Sequence, residues 1–175
     1  MFRQMRRFRQ QITQEECADI LRRASTGVLG VIGDDGYPYT VPLNFVYEPG
    51  GDGLGTIGFH CAKVGHKIDA IRRCGKVSFT VVDRDEVMPR ERTTKFCSVI
   101  AFGRARILEE ESELRRAANA VGAKYSAGFE DLYMQETEET IRAGRLCCVE
   151  ITIDHMTGKI GQQLMLERQR AAEDR

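Results

Sequence analysis

The chain of 175 residues is long enough for one domain with a substantial core. Its 26 Lys and Arg residues balance 26 Asp and Glu residues, which argues against a general nucleic-acid-binding protein. The basic start is not followed by an apolar segment, and no apolar run approaches the ~18 residues of a membrane span, so neither a signal peptide nor a membrane partner is expected. The six cysteines form no C-x-x-C pair, which favours reduced thiols and a cytoplasmic location over a disulfide framework or a metal site.

Residues 1–12 are predicted to be a basic arm that is solvated and flexible. Contact with an anionic partner is the alternative, because four arginines lie there: Arg3, Arg6, Arg7 and Arg9. A capping box formed by Thr13 and Glu16 then predicts the start of a helix. One side of that helix is apolar and carries Cys17, Ile20, Leu21 and Ala24. We therefore expect the folded domain to begin at residue 13.

Six segments alternate between apolar and polar residues with the period of β-strands. They span residues 28–32, 37–47, 56–60, 76–82, 96–108 and 146–155. Residues 33–36 are a hairpin turn signal, Pro42 places its strand at an edge or a bulge, and Gly103 predicts a bulge or a close backbone approach. Because an open six-stranded sheet would expose its edges, a small antiparallel barrel is expected.

The connections between these strands include helices and one exposed segment. A helix is predicted to begin near Gly65, another to span residues 109–123, and a more polar one to follow Gly128. Residues 83–95 are strongly charged, so we expect a loop at a rim or at a subunit contact.

The end of the chain is predicted to leave the barrel. The Thr-Gly-Lys sequence at residues 157–159 is expected to turn the chain away from the last strand. Residues 161–175 are charged and are expected to form a tail that frays from Glu167. The domain is therefore predicted to span residues 13–160.

A candidate anion site follows the strand that ends at His60. Gly65 can cap the next helix and leaves the N–H groups of the first turn without intrahelical partners. These donors and the positive end of the helix dipole suit an anion, and His66 and Lys67 add side-chain donors at the same place. On spacing alone a solvated Lys67 would be the simpler interpretation. A phosphate is the ligand that this arrangement favours.

Four segments, in this order, resemble the pyridoxamine 5′-phosphate oxidase-like FMN-binding split barrels, in the branch related to nitroimidazole-resistance proteins. They are residues 36–44, Phe59-His60 followed by Gly65-His66-Lys67, residues 98–103 and residues 153–159. The resemblance implies a mainly β fold with inserted helices, a six-stranded antiparallel split β-barrel. It also implies a homodimer with FMN between the subunits. The sequence departs from some relatives because it contains no Trp.

The resemblance further implies where FMN binds. The isoalloxazine ring would lie against Val41, Pro42, Leu43 and Asn44. The phosphate would lie around Lys67, and the residues of this part of the site are Phe59, His60, Cys61, Ala62, Gly65, His66 and Lys67. Ser98 would offer a donor to the ribityl phosphate.

His60 matches a histidine that lies close to the flavin in the nitroimidazole-resistance branch. It is the candidate catalytic residue, because it could orient a substrate or supply a proton to a reduced nitro group. The alternative is that it only hydrogen-bonds the cofactor, and both interpretations stay open. Cys61 is expected to be a small apolar packing residue.

The leading functional hypothesis is a cytoplasmic FMN-dependent oxidoreductase of the nitroreductase or flavin reductase type. It would pass electrons from a reduced nicotinamide to a small acceptor such as a nitroaromatic. One alternative is a flavin-binding protein without turnover, acting as a sensor, store or sequesterer, and another is a barrel that binds heme or a deazaflavin. Pyridoxamine 5′-phosphate oxidase activity itself is not expected, because no second basic cluster near the C-terminus suits a substrate phosphate.

Overall fold

The structure, a computed structural model, describes residues 2–51 and 53–173. Within them lie the strands Gln11–Ile12 (β1), Thr26–Ile32 (β2), Pro38–Asn44 (β3), Val46–Glu48 (β4), Thr56–Cys61 (β5), Lys76–Met88 (β6), Thr93–Ile107 (β7) and Cys147–Ile160 (β8). The α-helices are Gln14–Arg23 (α1), His66–Arg73 (α2), Glu111–Tyr125 (α3), Glu130–Arg142 (α4) and Gln162–Glu173 (α5). None of these helices is long and apolar enough to span a membrane.

The strands form one antiparallel sheet in the order β3-β2-β6-β7-β8-β5-β4, and β1 pairs with the far part of β8. The two ends of this path, β3 and β4, are successive segments of the chain that meet at Phe45. The predicted strand at residues 37–47 is therefore one strand that pairs first with β2 and then with β5. Counted in this way, the sheet has the six main strands expected, and the predicted split-barrel fold is confirmed.

The change of partner at Phe45 leaves backbone groups without a ladder partner, and α3 supplies one for each. The N–H of Phe45 donates to the Tyr125 hydroxyl at 2.9 Å. The carbonyl of Phe45 accepts from Lys124 Nζ at 3.0 Å, and the same ammonium donates to the carbonyl of Ala24 at 2.6 Å. Tyr125 Oη also lies 2.7 Å from the carbonyl of Ser25, to which it can donate. The last turn of α3 thus fixes the point where the barrel splits.

Helices cover both ends of the apolar interior. The capping box at Thr13 is confirmed, since the Glu16 N–H donates to Thr13 Oγ1 at 3.1 Å and the Thr13 N–H donates to Glu16 Oε2 at 2.9 Å. Helix α1 buries its predicted apolar side in the same core cluster that receives α2. The largest fully buried side chains of that cluster are Phe45, Phe59 and Phe79.

Two local strand predictions are also confirmed. Pro42 lies in β3, at one end of the sheet path, where a missing N–H need not break a ladder. The pairing of β7 with β8 shifts between Phe102 and Gly103. A Cβ at Gly103 would lie 2.2 Å from the carbonyl oxygen of Thr152, so the close approach of the two backbones requires glycine there.

The prediction of a loop at residues 83–95 is wrong, because β6 and β7 continue as a paired ribbon to Met88 and Thr93. The pairing register shifts between Val82 and Arg84 and then runs on. Cross-strand hydrogen bonds satisfy the backbone of this ribbon without any need for apolar side chains, and Arg84 forms an ion pair with Glu86. Charge in the sequence therefore did not distinguish an exposed strand pair from a loop.

The predictions for the chain end are corrected in the same way. Residues 157–159 do not turn away but belong to β8, with β7 on one side and β1 beside Gly158 and Lys159. The residues expected to fray form α5, which buries Leu164 and pairs Glu167 with Lys95 at 2.8 Å. The N-terminal arm also packs on the barrel, because Gln10 and Ile12 are buried. The division into arm, domain and tail stays a prediction.

Candidate functional site

The free edge of β3 forms one wall of the candidate site. The N–H of Gly33 donates to the carbonyl of Tyr37 at 2.7 Å. Because hydrogen-bonded pairs alternate in an antiparallel ladder, Tyr39, Val41 and Leu43 direct their backbone groups toward β2. Thr40, Pro42 and Asn44 direct theirs toward the opening of the barrel. The N–H groups of Thr40 and Asn44 are thus placed to donate to a ligand. Pro42, which has no N–H, lies between them at a position where the ladder with β2 requires no donor.

One end of this edge meets His60. The register that pairs β4 with β5 would, if continued, place Asn44 opposite His60, and the two side chains line one cavity of about 400 Å³. His60 is exposed, whereas Phe59 before it is buried in the core. Helices α3 and α4 form the rest of the cavity wall, with Tyr125, Ser126, Tyr133, Glu136, Thr137 and Thr140 among its residues.

The other end of the edge meets the start of α2. Gly65 has φ 130°, which suits glycine, and its carbonyl accepts from the N–H groups of Ile68 and Asp69 at 2.9 and 3.1 Å. The N–H groups of His66 and Lys67 therefore have no partner inside the helix. The His66 ring stacks on Tyr39 with 4.2 Å between ring centroids. From Tyr39 to Asn44 the edge is roughly 17 Å long at ~3.3 Å per residue.

Lys67 is the half-buried cation at this end. Among residues 2–51 and 53–173, no carboxylate or carbonyl accepts a hydrogen bond from its ammonium group. The nearby His66 Nε2 lies 3.6 Å from a carboxylate oxygen of Asp34, which itself binds Arg73 at 2.8 Å. The site therefore contains a positive group that the fold does not neutralise, beside two backbone donors.

The structure brings most of the predicted site residues to this groove. The side chains of Val41, Leu43 and Phe59 pack on the core, and their backbone groups belong to the ladders with β2 and β8, so the structure does not direct these residues toward a ligand. Pro42, Asn44, His60, Ala62, Gly65 and His66 are exposed, and Cys61 is half-buried at the end of β5.

Ser98 is not brought there within one chain. It pairs with Val82 in β6 and Lys159 in β8, which is the end of the barrel next to α1. The segment that follows α2 contacts β7 at Ala105 and not at Ser98, because the N–H of Ala105 donates to the carbonyl of Gly75 at 2.7 Å. Ser98 and Ala105 are seven residues apart along β7, a distance of roughly 23 Å.

The residues that sequence reasoning missed are Tyr39 and the polar side chains of α3 and α4. The apolar periodicity of α3 accounts for its buried side chains, Leu114, Ala117 and Val121. It carried no information about which strand the remaining face would meet. The contact of Phe45 with Tyr125 joins residues 80 positions apart, and no spacing in the sequence signals such a pair.

The described residues form an antiparallel split barrel in which an open strand edge lies beside a helix start and a lysine that has no internal partner among them. The chain belongs to the pyridoxamine 5′-phosphate oxidase family, whose profile matches residues 13–160. No curated protein matches the sequence.

Solved structures share the fold at low sequence identity. A candidate 5-nitroimidazole antibiotic resistance protein from Bacteroides thetaiotaomicron is similar with a TM-score of 0.66 and 22% identity, over 86% of each chain. The flavocytochrome Anf3 from Azotobacter vinelandii has a TM-score of 0.71 and 19% identity, over 91% of this chain and 72% of that one. An FAD- and heme-binding protein from Mycobacterium smegmatis has a TM-score of 0.68 and 17% identity, over 87% and 74%.

Proposed function

We propose that the chain binds FMN along the free edge of β3 and is an oxidoreductase that passes electrons from a reduced nicotinamide to a small acceptor such as a nitroaromatic. The observation that carries the proposal is Lys67, which stands at the start of α2 without an internal partner in the described residues. Its ammonium and the N–H groups of the first helical turn suit a phosphate, because charge-assisted bonds and the helix dipole act together.

The remaining groups of the groove fit the rest of FMN. The edge at Thr40 to Asn44 offers backbone donors and acceptors in the alternation that a flavin pyrimidine ring can match. Donors placed there would also favour negative charge on that ring. When bound, the flavin supplies the electron transfer, and the protein holds and orients it.

His60 is proposed to act on the acceptor rather than on the phosphate. It is exposed in the cavity of about 400 Å³, a size that holds a small molecule. An imidazole side chain can hydrogen-bond an acceptor or give it a proton. Tyr125, Ser126 and Thr137 add hydroxyl groups to the same cavity and would orient the acceptor.

We also propose that the working form is a homodimer. The outer face of the sheet exposes Val28, Ile32, Val82, Ile100 and Phe102. An apolar face of this kind is typical of a protein interface. Because Ser98 lies away from Lys67 in one chain, it would reach the phosphate only from a second copy.

The test is an absorbance spectrum of the purified protein before and after addition of excess FMN and removal of what is unbound. Two retained flavin bands are expected. Lys67→Ala should weaken FMN binding about ten- to hundredfold, the loss of a charge-assisted contact worth roughly 1.5–3 kcal/mol. Lys63→Ala removes an exposed cation of the same loop and should cost no more than a few-fold. Equal affinity of Lys67→Ala and the parent protein would reject the phosphate site.

The second candidate is a flavin- or heme-binding protein without turnover. Similar structures named as a flavocytochrome and as an FAD- and heme-binding protein favour testing it. Flavin that is not reduced by either nicotinamide cofactor would support this candidate, and a sharp heme band would replace FMN with heme. Competition between FMN and FAD on the same protein decides which flavin fits.

A further inference from the structure

Two cysteines face each other beside the start of α2. Cys61 is the last residue of β5, Cys147 is the first of β8, and they are direct register partners. All six cysteines are free thiols, and the interaction between these two thiols is the largest influence on the pKa of each. Cys148, the next residue of the strand, points to the opposite face, where its Sγ lies 3.8 Å from the carbonyl oxygen of Leu114.

The backbone geometry of the pair is compatible with a disulfide. Directly opposite residues in an antiparallel ladder have Cα atoms about 4.5–5.5 Å apart, inside the ~4.4–6.8 Å range of disulfides. The N–H of Ile153 donates to Gly55 at 3.1 Å, and alternation from there makes Cys61 and Cys147 a hydrogen-bonded pair. Such pairs hold their Cβ atoms farther apart than a relaxed disulfide does. The bond would therefore be strained and easily reduced.

The surroundings favour oxidation of Cys147. The neighbouring Cys61 thiol and the nearby cations Arg72, Lys63 and Lys67 lower the pKa of Cys147, against the effect of burial, which raises it. The Cys147 thiol and burial in turn raise the pKa of Cys61. The thiolate is the reactive form of a cysteine. Cys147 is buried in the core cluster, so peroxide would have to reach it past the half-buried Cys61 beside it. No cluster of three metal-ligating side chains exists in the described part of the chain, so a thiol reaction suits the pair better than a metal.

We propose that Cys61 and Cys147 are a site of reversible oxidation by peroxides, forming a disulfide that joins the end of β5 to the start of β8. The Cys147 thiolate attacks one oxygen of hydrogen peroxide, the O–O bond breaks, and hydroxide leaves and takes up a proton as water. The Cys61 sulfur then attacks the resulting sulfenic acid, the S–S bond forms, and the S–O bond breaks with release of a second water. Two thiols are oxidised and one peroxide is reduced to two waters.

The disulfide would constrain the loop that joins β5 to α2. Residues 62–65 lead directly from Cys61 to the start of α2, so the disulfide would fix one end of that loop. The chemistry of the pair needs no flavin, so the proposal stands or fails separately from the proposed function.

The experiment uses the full chain, first reduced completely and then exposed to hydrogen peroxide at pH 7 without flavin. Thiols counted after denaturation should fall from six to four, since two are consumed. Peptide mass spectrometry should find a Cys61–Cys147 crosslink that a dithiol reductant reverses. Retention of all six thiols, or a crosslink between other cysteines, would overturn the proposal.

Single-cysteine variants separate the two steps. Cys61→Ala changes a half-buried residue and should stop the reaction at the Cys147 sulfenic acid, which dimedone traps. Cys74→Ala is the matched control, because Cys74 is also half-buried but lies outside the pair, and its disulfide yield should equal that of the parent chain. Equal dimedone labelling of the parent chain and Cys61→Ala would contradict resolution by Cys61.

Discussion

Lys124 and Lys67 stand at the two ends of the same strand edge, and the fold treats them in opposite ways. At the Phe45 end, Lys124 Nζ lies 2.6 Å from the carbonyl of Ala24 and 3.0 Å from that of Phe45. Its ammonium also lies 4.3 Å from the centroid of the Phe45 ring. At the α2 end, Lys67 has no such acceptor in the described residues.

Lys124 therefore has a structural role, whereas the ammonium group of Lys67 is available to a ligand. Burial lowers the pKa of Lys124, so the carbonyls around it must compensate the cost of removing its charge from water. Lys67 sits beside free backbone donors, where an external anion can supply the missing partner. The comparison predicts that replacing Lys124 damages stability and that replacing Lys67 damages binding.

The largest expected effect is that of Lys124→Met on stability. The variant keeps most of the apolar stem but leaves the carbonyls of Ala24 and Phe45 without their charged donor. We expect the free energy of unfolding to fall by roughly 2–3 kcal/mol. Urea denaturation followed by circular dichroism measures it. A loss below about 0.5 kcal/mol, the range of ordinary surface substitutions, would show that water replaces the ammonium without cost.

Lys67→Met is the matched change at the other end, and its expected pattern is the reverse. The free energy of unfolding without flavin should stay within about 0.5 kcal/mol of the parent value. Excess FMN should raise the Tm of the parent protein, and it should raise that of the variant less, because ligand stabilisation follows affinity. Thermal scans with and without FMN measure both. If Lys67→Met were as unstable as Lys124→Met, Lys67 would also be a stabilising residue of the fold.

The two lysines also show what could be predicted from the sequence. The capping box at Thr13, the edge position of Pro42 and the helix start at Gly65 were predicted correctly, because each follows from residues close together in the sequence. The register shift at Gly103 was also predicted, although it depends on the backbone of Thr152 in β8. The anion site around Lys67 was inferred from the same kind of local pattern and stays a prediction.

The parts that could not be predicted depend on contacts between distant segments. Lys124 reaches carbonyls about a hundred residues earlier, and its sequence neighbours give no sign of them. Residues 157–159 look like a turn until β1 and β7 are placed on either side. Cys61 and Cys147 meet only because β5 lies next to β8.

A smaller effect is expected at Glu150, a second group whose charge is satisfied inside the fold. Its carboxylate lies 2.8 Å from Arg106 and 2.7 Å from Arg116, and its side chain is only 14% exposed. Burial alone would raise the pKa of Glu150, but the two guanidinium groups lower it overall. A lowered pKa in the folded state stabilises the fold above the ordinary pKa of a glutamate, and this stabilisation is lost as the pH falls through the lowered value.

Glu150→Gln should therefore reduce the free energy of unfolding near pH 7 by about 1 kcal/mol, a modest figure because both arginines are half exposed. The difference from the parent should shrink as the pH falls through the lowered pKa. Urea denaturation across a pH series measures it, with Glu109→Gln as an exposed control. A constant difference at every pH would exclude the ion pairs as its cause.

The smallest expected effect extends the same comparison to two aromatic residues of the basic arm. The Phe2 ring stacks on His155 with 4.6 Å between centroids, whereas Phe8 is 69% exposed. Phe2→Ala should lower the free energy of unfolding by roughly 0.5–1 kcal/mol, because an aromatic contact is lost. Phe8→Ala should leave it unchanged, and chemical denaturation of both variants makes the measurement. Equal results would mean that Phe2 does not anchor the arm in solution, so that the arm behaves as the solvated segment its arginines predicted.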